Sequence, residues 1–201
     1  MAYNKFTLKK VQTQFNLTME TNLPLFRQVP PIEPNARLIK LLDDFVPIAV
    51  AIDTEKSRSE WIVAPILGEL RLELASKMSI FSGINFEVDP KQQLTGFCDF
   101  LISQSPNQLT LTAPVVAIAE AKKDNIKAGL GQAIATMIAA QIFNEREGNP
   151  LEVIYGVSTT GTTWKFLNLI GQTVSVDSDE YHISNLNKIM GILTYMVTNK
   201  A

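Results

Sequence analysis

Residues 115–121 read Val-Val-Ala-Ile-Ala-Glu-Ala, a run whose two alternating faces are both apolar until Glu120 interrupts it. Successive side chains of a strand point to opposite sides, so a strand with one wet face shows a polar residue at every second position. This run shows none before Glu120, which predicts a central strand covered on both faces. Such a strand belongs to an α/β sandwich, with helices laid on a sheet. The pattern at 127–144 predicts one of those helices, and Ala128, Ala133, Ala135, Ala139 and Ala140 allow it to approach a sheet closely. Glu145-Arg146-Glu147-Gly148-Asn149-Pro150 closes that helix, with glycine and then proline past its end.

The elements on either side follow from periodicity and breakers. Residues 1–30 alternate in places (Phe6-Thr7-Leu8, Phe15-Asn16-Leu17-Thr18-Met19) and read as a short hairpin or an arm. Pro30, Pro31 and Pro34 stiffen a break. A helix then starts at Pro34 or Asn35, carries Leu38, Leu41, Leu42 and Phe45, and is expected to end at Pro47. A second helix is expected over 54–77, capped by Thr54, with Ile62, Ile66, Leu70 and Leu74 on one face and a kink or break at Pro65. Strands are expected at 79–88, with an irregularity at Gly83, and at 94–102, joined by an Asp89-Pro90-Lys91 turn. After the central strand and its helix come strands at 153–159 and 164–169 around a Thr160-Gly161-Thr162 turn, a short strand at 172–176 and a helix at 183–197. The whole reads as one globular unit in two parts: an N-terminal arm and helix, 1–50, packed on an α/β core, 51–201.

Composition narrows the function classes. A net charge of −2 supplies no global attraction for nucleic acid, so any such surface has to be local. The single cysteine, Cys98, excludes an intramolecular disulfide and suits a reducing interior. The start, MAYNKFTLKK, lacks the apolar stretch of a signal peptide, and the apolar stretch at 46–52 is too short to span a bilayer. A cytoplasmic protein without membrane contact is therefore expected. No glycine-rich phosphate loop is present, and His182, the single histidine, makes a poor zinc site.

Chemistry concentrates at Glu120-Ala121-Lys122. Glu120 and Lys122 share one face of the strand, and Ala119 and Ala121 the other, over which a helix is expected. Taken alone, the pair reads as a salt bridge at a strand end. The preceding strand, however, carries an isolated acid, Asp99, in Gly96-Phe97-Cys98-Asp99-Phe100-Leu101-Ile102, where an unpaired carboxylate is costly. If the two strands are antiparallel neighbours, Asp99 and Glu120 meet on one face. Two adjacent carboxylates repel unless a proton or cation lies between them. Mg²⁺ is a natural solution, because it takes hard oxygen ligands and keeps waters.

Asp99, then Glu120-Ala121-Lys122 after a hairpin-length gap, then Gln132 in the following helix, resemble the PD-(D/E)xK nuclease superfamily. The likeness covers roughly 54–170, including 55–67, similar to the first motif helix of the type I restriction-subunit branch, and the hairpin at 156–166. Cys98 stands where the motif's name has proline. The resemblance implies a restriction-endonuclease-like fold, a mixed central sheet flanked by helices with an α-β-β-β-α-β-β core. It implies Mg²⁺, or Mn²⁺, bound by Asp99, Glu120 and the carbonyl of Ala121. Lys122 would assist, Glu60 or else Glu55 would join from the helix, and Gln132 would sit beside the site. The implied activity is hydrolysis of DNA phosphodiester bonds, in a chain that can act as a homodimer. The alternative is an inactive nuclease-like module that binds DNA or protein. Lys123 and Lys127 extend the basic cluster of Lys122 as a solvated helix start or as phosphate contacts.

Overall fold

The computed structural model describes residues 3–75 and 77–199; residues 1, 2, 76, 200 and 201, which fall within the expected arm, second helix and core, lie outside the described residues. In chain order the elements are α1 (Leu8–Gln14), β1 (Thr18–Glu20), α2 (Ala36–Ile52), α3 (Glu55–Arg58), a π turn (Ser59–Val63), α4 (Ala64–Glu73), β2 (Ser79–Asn85), β3 (Phe97–Ser103), β4 (Val115–Ala121), α5 (Ile126–Arg146), β5 (Val153–Thr159), β6 (Thr163–Ile170), β7 (Thr173–Val176), β8 (Tyr181–His182) and α6 (Leu186–Thr198). They build an eight-stranded sheet in the order β1-β7-β6-β5-β4-β3-β2, with β8 added on β6. The sheet is mixed. β2, β3 and β4 form an antiparallel meander, and α5 carries the chain across to β5, parallel to β4. The protein is thus α/β, with a mixed open sheet flanked by helices.

All seven residues of β4 are buried, because both faces of the sheet are covered at this strand. Ile118 joins Leu101, Ile154 and Leu167 in a core under α5, whose Ile134, Ala135 and Met137 are fully enclosed. Ala117, Ala119 and Ala121 point into a second core with Ile62, Ile66 and Leu70 of the 59–73 helix and Ile192 of α6. The helix expected over the alanine side is therefore built from 59–73 and α6, while α5 takes the Glu120 side. Small residues set the distance at which α5 lies: a Cβ on Gly156 would strike Met137, and one on Gly131 would strike the backbone of Phe6 and Thr7.

The first thirty residues depart from the expected hairpin. Thr7 caps α1 through the Lys10 amide, 3.2 Å, and the short β1 pairs in parallel with β7 at the sheet edge. The strap that follows runs along α6, where the Lys188 ammonium donates to the carbonyls of Phe26 (2.8 Å) and Arg27 (3.0 Å). Phe26 itself packs edge-on against Phe166, with ring centroids 5.7 Å apart.

Two prolines behave differently from expectation. Pro47 does not end α2, which continues to Ile52 and closes on Asp53 in the left-handed region, φ 53°. Pro47 and the Asp43 carbonyl that loses its donor both lie on the exposed side, where water can satisfy that carbonyl. The helix expected over 54–77 starts as predicted, with a reciprocal capping box between Thr54 and Ser57. It widens into the π turn just ahead of Pro65, a position that has no N–H to give to the preceding turn, and it ends at Glu73. The strand expected at 79–88 stops at Asn85, past a Gly83 with φ 62°, and the one expected at 94–102 begins at Phe97, leaving Leu94 in a single bridge to Asp89.

Among the described residues α5 alone is long and apolar enough to cross a membrane by length and composition, and 61% of its apolar window is buried within the fold.

Gly131 and Gly68 give opposite outcomes on gaining a methyl group. Gly131→Ala drives a Cβ into the backbone of the N-terminal segment and should destabilise by about 1–3 kcal/mol. Gly68, on the exposed side of α4 with nothing within 4 Å, should gain about 0.5–1 kcal/mol as alanine. Urea denaturation of the two variants checks both signs.

Candidate active site at the end of the central strand

The register Phe100↔Ala119 and Leu101↔Ile118 brings Asp99 up to Glu120 where β3 and β4 part. At that point Asp99 substitutes for a strand partner: its Oδ2 accepts the Ala121 amide at 2.8 Å. Glu120 is completely buried, at 0% exposure. Its Oε2 accepts from Nε2 of Gln132 at 2.7 Å, one helical layer above. Its Oε1 is buried with no protein hydrogen-bond partner. Burial pushes the Glu120 carboxyl well above the ordinary carboxylate range, the Asp99 carboxyl within hydrogen-bond reach pushes it further, and Lys122 opposes both. An acid pair held this close carries a shared proton or a cation between its oxygens.

Lys122 leaves the strand beside this pair, its backbone amide tied to the Thr159 carbonyl at 2.7 Å. Its side chain, 15% exposed, crosses Gly129 near the start of α5 and ends 3.4 Å from Oε1 of Glu55. Gly129 is needed there, since a Cβ would meet the Lys122 stem at 2.9 Å and would also strike Oγ of Ser158. Ser158 in turn donates to the Ile126 carbonyl at 2.8 Å and fixes the entry to α5. Three contiguous pieces of chain, the ends of β4 and β5 and the first turns of α5, therefore hold one lysine in place.

Of the residues singled out in the sequence, Asp99, Glu120, Ala121, Lys122 and Gln132 come together. Glu60 does not. Its carboxylate is 56% exposed and pairs with Lys56 at 3.4 Å, whereas Glu55 reaches Lys122. Cys98 is buried in the core under α5, where burial and then the nearby Glu120 push its thiol up, which keeps it protonated and inert. Trp164 and Phe166 are core residues, Trp61 packs on Phe45 with centroids 5.0 Å apart, and His182 is exposed and bonded to Ser184. Among the described residues no three histidine, cysteine or acidic side chains converge on one point.

Sequence reasoning missed Gly129 and the ionic chain beside the site. Asp53 bridges Lys123 (3.1 Å) and Arg58 (3.3 Å), and these cations hold its carboxyl below the usual range. The Gly129-Leu130-Gly131 interruption in an otherwise alanine-rich helix was the available signal for close approach. No family model, no curated protein and no solved structure matches the chain.

Because Glu120 titrates above its unfolded value, the native state holds a proton that the unfolded chain releases earlier. Without divalent ions, stability should be fully present below the ordinary glutamate value of about 4.3 and fall as pH rises towards and through the native value. Glu120→Gln should flatten that dependence and raise stability at neutral pH. Urea midpoints measured across a pH series check the sign; a wild-type slope retained by the variant would assign the dependence elsewhere.

Proposed function

We propose that this protein is a Mg²⁺-dependent DNA nuclease. The observation that carries this reading is the buried, partnerless Oε1 of Glu120 set against Asp99, with Lys122 two residues further along the same strand. A buried carboxyl oxygen without a protein partner fits a small hard cation that displaces its proton, and the two carboxyls with the Ala121 carbonyl would supply the hard oxygen donors such an ion takes. The order α4-β2-β3-β4-α5-β5-β6, with its parallel β4–β5 crossover, supports the restriction-endonuclease-like reading, since it follows the α-β-β-β-α-β-β core that the sequence motif implies.

Asp99, Glu120 and the Ala121 carbonyl would hold Mg²⁺ or Mn²⁺, which supplies charge for a phosphoryl oxygen and an acidified water. Gln132 holds Glu120 in one rotamer by its amide hydrogen bond. Lys122 presents an ammonium at the rim of the acid pair, where it orients the attacking water or offsets charge on the scissile phosphate. Glu55 offers that ammonium a second carboxylate 3.4 Å away. Glu60 takes no part.

A second reading, an inactive module that binds DNA or protein, draws on the absence of a third converging acid among the described residues. Divalent-ion titration and cleavage assays separate the two.

Incubation of plasmid and branched DNA with the protein and Mg²⁺ or Mn²⁺ should give cleavage. Asp99→Ala and Lys122→Ala should each reduce it by about 10²–10³-fold. Cleavage that survives both substitutions overturns the assignment. Calorimetry should show divalent-ion binding that disappears in Asp99→Ala, and ion binding with no cleavage of any DNA would favour the inactive module.

A further inference from the structure

Just past Lys122 in the chain, a cleft of about 490 Å³ lies between α3, the start of α5 and the β5–β6 turn. Three cations line it: Arg58 from α3, and Lys123 and Lys127 from the β4–α5 junction. Thr160, Thr162 and Thr163 at the β5–β6 turn also line it. We infer that this cleft binds a backbone phosphate of the DNA strand beside the one being cut. The inference rests on the DNA-acting reading above for the identity of the polymer.

The observations bear on a ligand in three ways. Arg58 is held nearly buried, its side chain 11% exposed, with Nη1 on the Thr160 carbonyl at 3.1 Å and Nη2 on Asp53. Its Nε is buried and has no acceptor, the one cationic donor in that condition among the described residues. A buried charged donor without a partner is costly, and a site that supplies it an anion nearby recovers part of that cost. Lys127 lines the cleft and makes no ion pair among the described residues, whereas Lys123 is paired with Asp53 at 3.1 Å.

Third, α5 begins at this wall, capped by Asn125, whose side chain accepts the Ala128 amide at 3.2 Å. The earlier first-turn amides have no acceptor within the helix and carry the positive end of its dipole. This helix end only adds to what the cations and the cleft already provide. Two acids, Asp124 and Glu180, also line the cleft, and Glu180 is drawn to Lys165 at 3.8 Å. The chain as a whole supplies no attraction for DNA, so contact with a strand has to come from a local patch of this kind.

The test uses the full chain, a short labelled DNA duplex and chelator to prevent cutting, with affinity read by fluorescence anisotropy over a range of salt. Lys123→Ala/Lys127→Ala should weaken binding about tenfold or more and lower the slope of log affinity against log salt by about 1–2, the share of two phosphate contacts. Lys40→Ala/Lys91→Ala, which removes the same charge outside the cleft, should bind nearly as wild type. Both pairs are exposed enough to leave the fold intact, which thermal unfolding checks. Equal loss in both double variants, or none in either, overturns the inference, as does a wild-type protein that binds no duplex at low salt. Cleft-dependent binding by a protein that cuts nothing with Mg²⁺ or Mn²⁺ would leave the phosphate site standing and remove the nuclease reading.

Discussion

The Glu120 carboxyl sits in a place where an isolated charge cannot be tolerated, and the surroundings are organised around that fact. Removing a carboxylate from water costs far more than a single hydrogen bond returns, so the group holds a proton or shares a cation. Gln132 takes one oxygen and Asp99 crowds the other. Both partners are supplied by layers that exist for other reasons: β3 because it completes the sheet, and α5 because it seals the hydrophobic face of β4. The acid pair is thus carried by the two packing contacts that make the strand central.

Close approach is the second theme of the same region. Glycines at 129, 131 and 156 remove the side chains that would hold α5 off the sheet or off the N-terminal segment. Without that proximity Gln132 would not reach Glu120, and the Lys122 stem would have no channel past the first turns of α5. The proposed metal chemistry therefore depends on small residues that carry no chemistry themselves. The neighbouring cleft depends on them too, since the start of α5 forms one of its walls. Asp53 and Arg58 tie the α2–α3 junction to the start of α5 and to the β5–β6 turn, through Lys123 and the Thr160 carbonyl.

Much of this was legible in the sequence where the signal is local. The central strand at 115–121, the alanine-rich helix and the Thr54 cap depend only on neighbours within a turn or a strand, and each is present with ends shifted by at most a few residues. The glycine turn at 160–162 joins β5 to β6 as expected. Local reasoning failed where solvent or a distant partner decides. Pro47 reads as a helix end, yet on an exposed face its lost hydrogen bond is small against the packing of Leu38, Leu42 and Ala49. Residues 8–14 become helical because Val11 is buried against the core under α5, and nothing nearby in the sequence announces that contact.

At the site the division falls between kinds of residue and their pairing. The sequence alone determined that an acid sits in each of two apolar strands, and that a lysine follows the second at a spacing that keeps it on the same face. It also marked Gln132 on the next helix. Only the tertiary structure decided that Asp99 and Glu120 touch, because strand register comes from how the two sheet faces bury and not from either strand by itself. Only the tertiary structure set Glu55, and not Glu60, beside Lys122. Glu60 stays on its own helix with Lys56 four residues earlier, whereas Glu55 meets Lys122 from 67 residues away, a contact that exists only because the fold brings the start of α3 to the end of β4.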